Sequence, residues 1–237
     1  MGQYSLARHV FVCVNVEHVV LLDLKADRYW ALEAAKTAPL ANLVPGWPVQ
    51  PQSGAANDPG DAQEVAEALC DQGILLGPDA LGKDATPVTA TPAARELLSQ
   101  DEYQRVPIGP VAVMRFIAAS VTAKVSLRLT PFERVIRKFT ARRRAGLAAE
   151  VPLDLEAARR LVQTFARLRV FFFTSKNECL FDSLALLGFL ARYGIYADWV
   201  FGVQARPFAA HCWVQKDEVV FNDTVEHVSG YTPIMAA

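Results

Sequence analysis

The chain has 237 residues, 52% of them apolar and 10% aromatic, which is enough to bury one large core or two small ones. Its net charge of −1 removes any global electrostatic argument for nucleic acid, and no apolar run reaches the roughly 20 residues that a membrane span needs. Four cysteines (Cys13, Cys70, Cys179, Cys212) lie scattered without C-x-x-C spacing, which argues against a zinc site and a disulfide framework and suits a reducing cytoplasm. The N-terminus carries neither the basic-then-apolar pattern of a signal peptide nor a complete myristoylation signal.

In chain order, residues 8–16 alternate around Val10, Val12, Val14 and Val16, and further apolar runs follow at Val19 to Leu24 and Arg28 to Leu32. Turn-like pairs separate them, so the pattern predicts a three-stranded meander. Helices are expected from Glu33 to Val44 and from Asp61 to Gln72, the second with Asp61 as N-cap and Gly73 as its stop. This first domain, residues 1–80, has no polar constellation that resembles an active site and suits a binding module. Residues 81–110 are rich in Pro, Gly, Thr and Ala and read as a linker. The run from Ile108 to Ala123 reads as a buried helix. From Asp101 to Phe173 the chain carries fourteen basic against six acidic residues, densest at Arg134, Arg137, Lys138, Arg142, Arg143 and Arg144. That cluster is a solvated helix face or a grip for an acidic partner; it lacks the interleaved aromatics of a nucleic-acid site.

The chemistry concentrates at the C-terminal end of the second domain, residues 111–237. Cys179 opens an apolar helical pattern with Leu180, Leu184, Leu187 and Leu190 in register and Gly194 as the stop. A thiol in a first helical turn sees unpaired N–H groups and the positive end of the dipole, which favour the thiolate and can hold an oxyanion. His211 lies on a strand, and Asp223 ends the next apolar run. A three-residue loop at Lys216-Asp217-Glu218 would place His211 opposite Asp223; a two-residue loop would pair it with Thr224 instead. Alternation along the strand points Cys212 away from the His211 face and into the core. Asn177 is a candidate oxyanion donor. Thiol, imidazole and carboxylate on a helix start and two neighbouring strands are the parts of a thiol acyl-transfer site.

These residues carry a resemblance. Cys179 to Leu186, Gly194-Ile195, Gly202-Val203, Pro207 to Val214 and the Tyr231-Thr232-Pro233-Ile234 stretch after Asp223 resemble the signature of lasso-peptide B proteins in their fused form. The run Leu21 to Leu32 resembles a PqqD-like precursor-recognition domain. One departure is Phe181-Asp182, where the family often has Pro-Arg. The resemblance implies an α+β chain: a small PqqD-like, winged-helix-type domain followed by a transglutaminase- or papain-like cysteine protease domain. It implies Cys179, His211 and Asp223 as the catalytic triad, with no metal and no cofactor. A precursor leader would add as a strand beside Tyr29, Trp30, Ala31 and Leu32. The implied partners are a ribosomal precursor peptide and an ATP-dependent, asparagine-synthetase-like macrolactam cyclase, in a bacterial cytoplasm, with neither nucleic acid nor stable membrane insertion. Two rival readings are an amine acyltransferase of transglutaminase type and a non-catalytic peptide-delivery module.

Overall fold

The computed structural model describes residues 4–15, 17–49, 59–98, 107–147, 154–172 and 179–237. The chain divides into two compact units. The first comprises Met1–Thr89 with Gly202–Ala210 and Thr232–Met235; the second comprises Ala90–Phe201, His211–Tyr231 and Ala236–Ala237.

In the first unit, strand β1 (Ser5–Leu6) is followed by β2 (Val10–Asn15), β3 (His18–Asp23) and β4 (Arg28–Glu33). The last three form the expected meander in the order β2-β3-β4, with Asn15 opposite His18 and Asp23 opposite Arg28. One face, Val10, Val12, Val19 and Leu21, packs into a core with Leu40, Trp47, Ala66, Leu69 and Ile74. The other face, through Cys13, Val20 and Leu22, is buried as well. β4 is an edge strand, and Arg28, Ala31 and Glu33 on it are exposed.

The segment expected as one helix from Glu33 to Val44 is instead a single turn, α1 (Ala34–Thr37), running into a 3₁₀ helix at Ala38–Asn42. Pro39 explains this, because it has no N–H to continue the α-helical ladder and its ring crowds the preceding turn. The second helix, α2 (Pro59–Asp71), already contains Asp61, which is therefore not its cap. It stops where expected: Gly73 has φ +70°, and the Gly73 and Ile74 amides turn back to the carbonyls of Cys70 and Leu69. After it, β5 (Leu75–Leu76) pairs antiparallel with β1.

The stretch read as a linker is partly built into regular structure. Lys83 bridges to Leu6 within the first unit, and β6 (Arg95–Glu96) joins the sheet of the second, parallel to a strand near the C-terminus. A single-residue bridge and a two-residue strand surrounded by Pro and Thr leave no periodic signal, which is why the sequence reads as loop.

The second unit holds helices α3 (Pro110–Leu129), α4 (Phe132–Leu147), α5 (Leu155–Phe172) and α6 (Cys179–Leu190). Strands β7 (Asp198–Gln204), β8 (Ala209–Lys216) and β9 (Val219–Val220), helix α7 (Val225–Ser229) and strand β10 (Thr232–Ala236) follow. The sheet order is β10-β7-β8-β9-β6, and β7, β8 and β10 contribute residues to both units. Helix α6 is apolar nearly all round and is buried from Phe181 to Leu190 against α3 and α5, where Phe116, Phe165 and Phe189 meet edge to face or tilted at 5.2–5.8 Å. Gly194, at φ +78°, ends the 3₁₀ turn that closes α6 and releases the chain toward β7.

Helix α3 departs from the fully buried helix that its composition suggests. Phe116, Ala119, Ser120 and Ala123 are buried, while Val111, Met114, Ile117, Val121, Val125 and Leu129 are exposed. By length and composition α3 could cross a bilayer, though its inner face packs on α6. The basic cluster falls on α4, where Arg143 pairs with Asp198 and the other five side chains are exposed.

Candidate active site

Cys179 is the first residue of α6, so its own N–H and those that follow have no intrahelical partner and the dipole is positive there. Asn177, the candidate oxyanion donor, lies outside the described residues. His211 is on β8, where it and Cys179 shift each other's titration through hydrogen bonding and charge. Its ring nitrogen Nε2 is 2.5 Å from Asp223 Oδ2, and both side chains are 16% exposed. Nε2 being engaged, Nδ1 is the nitrogen left to exchange a proton with the thiol. All three predicted catalytic residues therefore converge.

They converge by a route that differs from the expected hairpin. The β8–β9 turn has two residues, Asp217 and Glu218, with Gln215 opposite Val220 and Lys216 opposite Val219. Asp217 takes φ +52°, which aspartate tolerates, and Gln215 Nε2 donates to its carbonyl at 2.7 Å. This register continues to the Phe221 N–H on the Val214 carbonyl, and would bring Thr224 opposite His211. The ladder ends first. Asn222 turns its amide inward: its Oδ1 accepts from the Val214 N–H at 2.8 Å and its Nδ2 donates to Ser183 Oγ at 3.1 Å. Ser183, wholly buried on α6, donates in turn to the Cys212 carbonyl at 3.2 Å. Asn222 thereby ties the cysteine helix to the histidine strand, and the bend it makes swings Asp223 onto His211.

Cys212 is buried, as expected, and its Sγ donates to Ser183 Oγ at 4.0 Å, but it is not remote from the site, since its side chain acts on the Cys179 thiol. The Cys179 thiol is pulled down to about 4, chiefly by the Cys212 side chain, against burial, with hydrogen bonding and charge from His211 adding to the drop. Burial alone would depress His211, yet hydrogen bonds and charge from Asp223 and Cys179 outweigh it and lift the imidazole to about 9. Burial also works against ionised Asp223, but hydrogen bonds from His211, His227 and the Thr224 N–H hold its carboxyl below the usual range. The group rests as a thiolate–imidazolium pair anchored by a carboxylate.

His227 escaped the sequence reading. It sits on α7, where Thr224 caps the helix by accepting from the His227 N–H at 3.1 Å, and its Nδ1 meets Asp223 Oδ1 at 2.9 Å. The signal was a Thr cap followed by a histidine four residues after the aspartate, a spacing at which side chains share a helix face. The Tyr231 ring lies beside both imidazoles, tilted to His211 at 5.3 Å and edge-on to His227 at 5.4 Å. Asp182, at the departure from the family pattern, pairs with Arg169 of α5 at 2.8 Å, and burial raises its carboxyl against that pull.

With a thiolate at a helix start, an imidazolium on a strand and a carboxylate behind it, the site has the arrangement of thiol hydrolases and acyltransferases. A comparison with family models agrees. Residues 119–236 match the transglutaminase-like superfamily. They form a transglutaminase-like domain. The match runs from the middle of α3 through β10 and contains Cys179, His211 and Asp223. Cysteine proteases and acyltransferases both use this kind of fold. No curated protein and no solved structure matches the chain.

The other predicted site residues lie in the first unit, on β4. Trp30 and Leu32 are half-buried and pack on its core, with the Arg28 guanidinium over the Trp30 ring at 5.5 Å. Ala31 is exposed, and Tyr29 makes an edge contact with Phe208 at 5.7 Å, within the same unit.

Proposed function

We propose that this protein is a leader peptidase of lasso-peptide biosynthesis, hydrolysing the bond between leader and core of a ribosomal precursor. The observation that carries the reading is the convergence of Cys179, His211 and Asp223 at the head of α6. The thiolate attacks the scissile carbonyl, and the oxyanion is held by first-turn N–H groups. His211 gives its proton to the departing amine, which becomes the free N-terminus of the core. The neutral imidazole then takes a proton from water, whose oxygen attacks the thioester, releasing the leader as a carboxylic acid and restoring the thiol. The freed amine is what an ATP-dependent cyclase needs to close a macrolactam. The sequence resemblance supports the substrate class and the bacterial cytoplasm, and β4, the outer strand of the described β2-β3-β4 sheet, is a place where an extended leader can add as a strand.

The superfamily match supports a second reading, acyl transfer to an amine. Incubating the full chain with a precursor peptide, with and without a primary amine, and weighing the products separates the two. Hydrolysis yields two fragments whose masses sum to the substrate plus one water. Acyl transfer yields an amine-capped acyl product, and an intact precursor with either mixture removes both readings.

A further inference from the structure

Asp223 needs one imidazole to complete the triad, and it has two. His211 Nε2 and His227 Nδ1 approach opposite oxygens of the same carboxylate, at 2.5 and 2.9 Å, with the rings 4.7 Å apart between centroids. One donor atom from each of the three residues lies within 4.8 Å of the others. A tetrahedral zinc ion with ligands at about 2.0–2.1 Å spaces its donors by about 3.3 Å, so small side-chain rotations suffice. His227 is 50% exposed on a one-turn helix, which opens the group to solvent on that side.

We propose that His211, Asp223 and His227 form an inhibitory site for a zinc-class divalent cation. Two imidazoles and a carboxylate match that class and not magnesium or calcium, which take all-oxygen sets. The ion replaces the two hydrogen-bonded protons at the carboxylate. His211 releases its Nε2 proton to solvent and keeps the one on Nδ1, and His227 carries its hydrogen on Nε2. With Nε2 on the metal and Nδ1 still protonated, His211 cannot accept a proton from the water that must attack the thioester, and turnover stops. The fourth position goes to water, because the Cys179 thiolate lies on the Nδ1 side of the His211 ring. The metal site itself stands on geometry alone; its inhibitory effect rests on the thiol chemistry proposed above.

Binding is therefore measured first in the full chain carrying Cys179→Ala, stripped with EDTA and titrated with zinc by calorimetry. The expected result is one zinc ion per chain with a dissociation constant of about micromolar or tighter, and no magnesium uptake. Adding His227→Ala, or His227→Gln as the variant that keeps a polar side chain on α7, weakens zinc binding by about tenfold or more. Cobalt in place of zinc gives the intense visible bands of a tetrahedral centre. No saturable binding, or binding unchanged in both His227 variants, overturns the site. In the unsubstituted chain, zinc stops thioester turnover and EDTA restores it, and His227→Ala raises the zinc needed by about tenfold. Tight binding without loss of turnover overturns the inhibitory role and leaves the peptidase reading standing.

Discussion

Alkylation of Cys179 by iodoacetamide as a function of pH tests the ion pair directly. An ordinary cysteine thiol titrates near 8.5, so between about pH 7 and pH 5 its thiolate, and its alkylation rate, fall about a hundredfold. Cys179, pulled down to about 4 by Cys212 and His211, keeps nearly all its thiolate over that interval, and its rate changes by less than about a quarter. The absolute rate near pH 7 is a poor discriminator. A pKa lower by about five units costs about two powers of ten in intrinsic nucleophilicity, which offsets the gain in thiolate fraction. The slope is what separates the cases. The reaction is run in EDTA, with the site of modification read by peptide mass spectrometry. Cys13 and Cys212 are buried and burial raises the Cys70 thiol, so Cys179 carries the label. His211→Ala moves the acid limb to higher pH. A tenfold fall per pH unit below neutrality in the unsubstituted protein would refute the thiolate–imidazolium ground state.

Cys179→Ala removes precursor cleavage by about 10⁴-fold or more and His211→Ala by nearly as much, while Asp223→Ala loses less, since the carboxylate orients the base without reacting; single-turnover rates rank the three. Asn222→Ala leaves the buried Val214 N–H unpaired and strips the buried Ser183 of a donor, a cost of about 2–4 kcal/mol. In a chain of this size that lowers the melting temperature on the order of 5–15 °C, read by calorimetry, and an unchanged melt shows that the Ser183–Asn222 tie does not hold the site together. On an edge strand adjacent N–H groups alternate between partner and open side, so of Ala31→Pro and Leu32→Pro one weakens leader binding by about tenfold and the other unfastens β4 from β3. Leader anisotropy titrations on the Cys179→Ala background read this, and equal affinity in both proline variants removes β4 as the leader edge.

Local sequence patterns by themselves determine a good deal of this protein. Alternation at Val10 to Val16 and a glycine after Gln72 suffice for the meander and the end of α2, because strand pleat and a left-handed stop are short-range properties. Cys179 at the head of an apolar helix and His211 on a strand were legible for the same reason. What tertiary structure decided is how they meet. The hairpin register turned on one aspartate's tolerance of positive φ, and the aim of Asp223 turned on Asn222 leaving the ladder to bind a serine thirty-nine residues earlier in the chain. The Cys212 thiol beside Cys179 and the second imidazole on Asp223 likewise depend on where α6, β8 and α7 come together. Such contacts arise from packing between elements distant in sequence, and no periodicity within a single element encodes them.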